Sequence, residues 1–339
     1  MGNYLNPDIS TFARVVNSEI YVDKTGLIEY TNRSAKTLQS YICISRPRRF
    51  GKSIAANMLS AYYTCEYDSR ELFSNLKIAS SDSYEKHLNK YDVIFLNMQE
   101  FLSQSSNVEE MLSLLKKSVI WDLLDKYPDF RYFDETNLMR TLQDIYNKTK
   151  RPFVVIIDEW DCIFREYITD KKAQEKYLDF LRDLLKDKGY VALAYMTGIL
   201  PIKKYGTHSA LNMFDEFSMI DPGPLAKYVG FTEEEVSELC ERYGMDMQEL
   251  KSWYDGYSFE GAPSVYSPRS VVSCMRFGKF GNYWNQTETF EALQLYIDMN
   301  FEGLRDDILC MIAGEEVPVN TGSFTNDMTT FRTEDDVLT

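Results

Sequence analysis

Eight consecutive residues, Arg46-Pro47-Arg48-Arg49-Phe50-Gly51-Lys52-Ser53, join a cluster of cations to a Gly-Lys-Ser triplet. That triplet suits the binding of a polyphosphate. Backbone N–H groups converge on phosphate oxygens, a lysine reaches the outer phosphates, and a hydroxyl takes a place on a divalent cation. Gly51, Lys52 and Ser53 fit those tasks, with Arg48, Arg49, Phe50 and Ile54 completing the loop around them. Arg46 is the departure, standing where G-x-x-x-x-G-K-[ST] has its first glycine. A bare G-K-[ST] arises by chance in roughly one chain in five or six of this length, so the triplet needs support from what surrounds it.

Support comes from two further segments. The apolar run Phe153 to Ile157 ends in Asp158-Glu159, a strand whose tip would deliver a carboxylate to a phosphate-bound metal. Asp158 is the candidate to hold Mg²⁺ through water together with Ser53, and Glu159 the candidate to polarise an attacking water. The run Val191 to Met196 ends in Thr197-Gly198, and Thr197 is the candidate sensor of a terminal phosphate. Arg46, Arg48 and Arg49 add cations that either neutralise phosphate or pair with carboxylates elsewhere. His208 has no nucleophile or ligand pattern beside it, Gly278-Lys279-Phe280 reads as a turn, and no carboxylate–lysine cluster of a metal-dependent nuclease is visible.

These residues need a scaffold. Tyr41 to Ser45, Val93 to Asn97, Phe153 to Ile157 and Val191 to Thr197 read as buried parallel strands, with Phe217 to Ile220 as a candidate fifth. Between them, Val108 to Leu124 and Tyr177 to Leu185 carry apolar residues at helical spacing. This alternation predicts an α/β domain, a parallel sheet sandwiched by helices, over residues 1 to 220. Asp221-Pro222-Gly223-Pro224 marks a boundary. Thr232 with Glu235 predicts a capped helix start, Ser267-Pro268 another, and Asp255-Gly256 a turn. Residues 221 to 314 thus read as a smaller, mainly helical domain open to a winged-helix element, and residues 315 to 339 as a polar tail.

Composition narrows the function. With 44% apolar and 26% charged residues, the 339-residue chain is of the folded globular class. Of the net charge of −15, residues 221 to 339 supply 8 − 22 = −14. Such a surface repels nucleic-acid phosphate, so general electrostatic DNA or RNA binding is not supported; the acidic part reads either as a plain solvated surface or as a docking face for a protein partner. The six widely spaced cysteines and two histidines form no zinc pattern and suggest reduced thiols in a cytoplasmic protein. No signal sequence opens the chain, no run approaches about 18 apolar residues, and Asn6 spoils a myristoylation reading of Gly2.

Taken together, the motifs resemble the predicted AAA-ATPase-like family of bacterial proteins, relatives of signal-transducing P-loop ATPases. Tyr21-Val22-Asp23-Lys24-Thr25 is similar to the family's opening, and the arginine-rich loop, where arginine likewise replaces the first glycine, to its phosphate loop. Asp158-Glu159 and Thr197-Gly198 match its acidic strand and following T-G. Tyr254 to Phe259, Val265 to Val271 (with Ser267 in place of the usual asparagine) and Tyr283 to Thr287 look like its aromatic C-terminal motifs. The resemblance covers about residues 12 to 290 and implies a P-loop NTPase that binds ATP and Mg²⁺, with Lys52, Glu159 and Thr197 as the candidate catalytic residues. It places Tyr21 to Thr25 near the adenine, against the plainer reading of an Asp23-capped helix start, and offers Arg269 as a sensor from the second domain. Family members often continue into a PD-(D/E)xK nuclease-like domain that is missing here, so no nuclease activity is carried over. The expected function is a slow Mg-dependent ATPase acting as a conformational switch. The alternatives are a non-hydrolysing nucleotide-binding or protein-interaction module and, more weakly, a kinase for a small acceptor.

Overall fold

The structure is a computed structural model describing residues 2–202, 211–254, 256–259 and 262–283, with a few positions between 307 and 319. His208, Asp255, the segment Trp284 to Thr287 and nearly all of the tail from residue 315 lie outside the described residues.

Five parallel strands, β1 (Tyr41–Ser45), β2 (Asp92–Asn97), β3 (Phe153–Asp158), β4 (Val191–Gly198) and β5 (Asp215–Phe217), form one sheet in the order β2-β3-β4-β1-β5. Every residue of β3 is buried, because helices cover both faces. Phe153, Val155 and Ile157 point into a core shared with the helices Val108–Lys126, Leu138–Thr149 and Lys171–Leu185. Val154 and Ile156 point the other way, against Leu27, Leu59 and Tyr63 from the helices Gly26–Ser34 and Lys52–Tyr63. Alternation of side chains along a strand therefore explains why the acidic strand reads as an unbroken apolar run. Each such side chain stabilises the fold by about 1.5–3 kcal/mol on burial.

The fifth strand lies earlier than the sequence suggests, at Asp215–Phe217 instead of 217 to 220. Ser218 ends it: its N–H donates to the Asp221 carbonyl and its hydroxyl accepts from the N–H groups of Ile220 and Asp221. Met219 and Ile220 are thereby drawn into a turn before Pro222, so their apolar character reflects no strand.

Beyond that turn, β6 (Phe231–Thr232), β7 (Tyr257–Phe259) and β8 (Ala262–Tyr266) form an antiparallel sheet in the order β6-β8-β7. The helices Glu233–Tyr243 and Met247–Tyr254 separate β6 from the β7–β8 hairpin, and Pro268–Phe277 follows it. Strand, two helices, then a hairpin that returns to the first strand is the connectivity of a winged helix. Thr232 and Glu235 form the expected capping box. Pro268 opens its helix as expected, although the Ser267 side chain makes no capping bond. The small core here also takes in Ile20, with Val22 packed against it, so the segment before Tyr21-Val22-Asp23-Lys24-Thr25 belongs to both parts of the molecule. Among the described residues no helix is long and apolar enough to cross a membrane.

Candidate functional site

The register of the sheet brings the chemical residues to one edge. Ile44 pairs with Thr197 and Ser45 with Gly198, while β3 lies on the far side of β4, so β4 separates the cationic loop from the acidic strand. All three strands are parallel and end at the same edge.

From β1 the chain enters the loop and then the helix Lys52–Tyr63. Arg49 and Gly51 both take positive φ, 68° and 91°. Left-handed residues interrupting right-handed ones curl the backbone into a concavity where N–H groups converge on an anion. At Gly51 a Cβ would meet no atom within 4 Å, so backbone conformation alone selects glycine there. Lys52 is buried, and its ammonium donates to the carbonyls of Arg46 (2.9 Å) and Pro47 (3.0 Å). Burial pulls its pKa down, and the nearby carboxylates of Glu159, Asp161 and Asp158 oppose that shift.

Arg46 plays neither part foreseen for it. Its guanidinium is buried, and one terminal nitrogen donates to Ser45 O (2.8 Å) and Phe217 O (2.9 Å), fastening β1 to β5. Burial lowers its pKa to about 10. Arg48 and Arg49, in contrast, line a cavity of about 940 Å³ together with Lys52, Ser53, Glu159 and Arg165. Arg269, from the start of the helix Pro268–Phe277, faces the same cavity.

Asp158 lies at the tip of β3, 1% exposed, and accepts hydrogen bonds from the Thr197 hydroxyl and from Glu159 N–H (3.2 Å). Neither Asp158 nor Thr197 lines the cavity, whereas Glu159 does. Glu159 has φ of 56°, and its carboxylate is 2.5 Å from Nη2 of Arg165. Asp161, fully buried, accepts from the N–H groups of Ile199 (3.0 Å) and Leu200 (2.8 Å), pinning the loop after β4. Sequence reasoning missed Asp161 and Arg165. A signal existed: a third carboxylate two residues after Glu159, and an arginine one helical turn beyond it.

A second cavity, about 480 Å³ and mainly apolar, adjoins the loop, with Phe50, Gly51 and Ile54 on its wall. Phe12, Ile20, Val22 and Tyr228 are among its other walls, and Gly51 and Ile54 also border the cationic cavity. Lys24 crosses from this segment to the second part of the molecule, donating to Lys227 O (2.7 Å) and to the carboxylate of Glu235. Asp23 accepts from Thr25 N–H (2.8 Å) and its hydroxyl (2.6 Å), and from Lys77 N–H (2.6 Å). It thus ties down the turn before the helix Gly26–Ser34, without capping that helix itself.

The family model described as Predicted AAA-ATPase, of the AAA-ATPase-like family, matches residues 8–207. The chain belongs to this family. A protein of Azotobacter chroococcum mcd 1, described as an uncharacterized protein in the vnfD 5' region, is 24% identical over 291 residues. The match covers 83% of this chain and 53% of that one, so the chain spans about half the length of the curated relative it matches. Among solved structures, a replication initiator DnaA bound to AMPPCP and single-stranded DNA is similar with a TM-score of 0.38 and 10% identity, over 94% of this AAA-ATPase-like chain and 77% of that one. The Aeropyrum pernix ORC1 protein in complex with DNA gives a TM-score of 0.38 and 11% identity, over 82% and 60%. Neither likeness is strong enough to carry an argument about the AAA-ATPase-like site.

Proposed function

We propose that the protein binds ATP with Mg²⁺ and hydrolyses it slowly, using the nucleotide as a conformational switch between its two parts. The observation that carries this reading is the adjacency of two unlike cavities on either side of Gly51. A nucleotide is an apolar base joined to a polyanion, and the loop separates an apolar space from a cationic one.

In this reading the base enters the apolar cavity beside Tyr21 and Val22. The phosphates lie against the amides of Arg49 to Ser53 and within reach of Lys52, Arg48 and Arg49, with Phe50 and Ile54 bordering the base. Hard oxygen donors suit a magnesium ion: the exposed Ser53 hydroxyl borders the cavity, and Asp158, buried behind it and not part of its lining, would act through an intervening water. Bound there, the ion would neutralise charge on the outer phosphate oxygens. Glu159 orients the water that attacks the γ-phosphorus as the bond to the bridging oxygen breaks and ADP leaves. Thr197 fixes the direction of the Asp158 carboxylate, through which it senses the terminal phosphate. Arg269 answers the phosphates from the second part. Turnover is slow because Lys52 must leave the loop carbonyls and Glu159 must leave Arg165 first. The excess of acidic residues after position 221 suits a protein partner of opposite charge.

Those same two engagements favour one rival, a module that binds nucleotide without hydrolysing it. Calorimetry with Mg-ATP and a phosphate-release assay separate the readings. The wild type is expected to bind and release phosphate, Lys52→Ala to lose affinity by roughly a hundredfold, and Glu159→Gln to bind without turnover. Binding with no phosphate release establishes the rival, and a wild type that binds no nucleotide sinks both.

A further inference from the structure

Arg165 is the one cation of the larger cavity that the proposed roles leave unused. It sits on the short helix Cys162–Glu166 directly after the acidic strand. Its side chain is 14% exposed and divided between two carboxylates: Nε lies 3.4 Å from Asp161 and Nη2 lies 2.5 Å from Glu159. A third contact, Nη2 to Gln99 Oε1, is 3.5 Å long and weak. The two carboxylates are not equivalent. Asp161 is fully buried and held by two backbone N–H groups, whereas Glu159 is 24% exposed and faces the cavity. The guanidinium therefore keeps a buried ion pair with Asp161 on its inner side, without a hydrogen bond from Nε, and is exchangeable at its outer nitrogens.

On the reading that this cavity takes the triphosphate, we propose that Glu159 and the γ-phosphate compete for Arg165, so that arrival of ATP transfers the guanidinium to phosphate and frees Glu159 to orient water. The direction of transfer follows from charge. A terminal phosphate offers three oxygens and close to two negative charges, against one charge on a partly solvated carboxylate, and its geometry matches the arginine fork. ADP lacks that terminal group and leaves the pair closed. Arg165 is thus a positioning residue for Glu159 in the empty protein and a γ-phosphate ligand in the loaded one. If Arg165 were only a structural staple of the turn after β3, the state of the nucleotide would not matter to it.

The test is a double-mutant cycle read in binding alone. Calorimetry with the β,γ-methylene analogue of ATP and with ADP, each with Mg²⁺, is applied to the wild type, Glu159→Gln, Arg165→Gln and the double variant. Removing the competitor in Glu159→Gln is expected to tighten the analogue by roughly tenfold and leave ADP within about threefold. Arg165→Gln is expected to narrow the preference for the analogue over ADP, and adding Glu159→Gln to it to change nothing further. An undiminished tightening in the Arg165→Gln background would mean simple repulsion between Glu159 and phosphate, and overturns the handover. Should Arg165→Gln fail to fold, Arg165→Lys takes its place. The Glu159→Gln effect is then expected to shrink by roughly threefold or more, and an unchanged effect is equally fatal. No binding by any of these proteins overturns the nucleotide reading itself, and this proposal with it.

Discussion

Arg46 occupies the place where a phosphate loop ordinarily has glycine, yet its side chain turns into the sheet to bond Phe217 O. Restoring the glycine should therefore harm the protein. Arg46→Gly opens a void and strands a buried carbonyl, at a cost of about 2–4 kcal/mol. The urea midpoint is expected to fall accordingly, and Arg46→Met, which keeps the volume, should lose less. A midpoint unchanged in Arg46→Gly would show that the bond to Phe217 contributes nothing. Thr197 poses a different question, because its hydroxyl is the side-chain donor to a carboxylate that is nearly inaccessible to water. Thr197→Val retains the shape and removes the donor, so Asp158 is expected to lose its fixed direction. We expect phosphate release to slow by roughly tenfold while ATP affinity stays within about threefold. Equal loss of both would assign Thr197 to binding.

At the level of elements, the segment Tyr21 to Thr25 joins the phosphate-loop part to the winged-helix part through Lys24 and Glu235. Burial brings the Lys24 pKa down to about 8 despite the opposing Glu235 carboxylate, from an ordinary value of 10.5. Between those values the unfolded chain holds a proton that the folded chain has shed, so this group makes stability rise with pH across that window. Its contribution is fully present above the upper value and lost as pH falls through the lower one. Urea unfolding of wild type and Lys24→Met at several pH values should show their difference growing between about pH 8 and about 10.5. A flat difference would mean that the ammonium is better solvated than its surroundings imply. Glu235 also closes the capping box of the helix Glu233–Tyr243, so one carboxylate serves the join and the helix start together.

For the whole molecule, the proposed nucleotide touches both parts: the apolar cavity is walled by Phe12 and Val15 on one side and by Phe231 and Val272 on the other. Binding there should raise the unfolding temperature of the two parts as one unit. At a hundredfold excess over Kd the stabilisation is about 2.7 kcal/mol, read as a single shifted transition in calorimetry. Lys52→Ala should show no shift at the same concentration. Two transitions, with only one moved by Mg-ATP, would confine the nucleotide to the first part.

Strands β1 to β4, the turn at Gly51 and the capping box were legible in the sequence because each is a local matter. A buried strand needs an apolar run, a positive φ selects glycine at 51, and a helix start needs Thr232 with Glu235 three residues on. What the sequence determined by itself is the kind of chemistry: a cationic loop and an acidic strand at one edge of a parallel sheet. Only the tertiary structure decided which way each side chain faces and what it meets there. It sent Arg46 inward, brought Arg165 onto Glu159, folded Met219 and Ile220 into a turn, and set Ile20 and Val22 against a core formed more than 200 positions later. Those outcomes depend on contacts between residues remote in sequence or on competing partners for one charge, and neither leaves a periodicity or spacing that can be read along the chain.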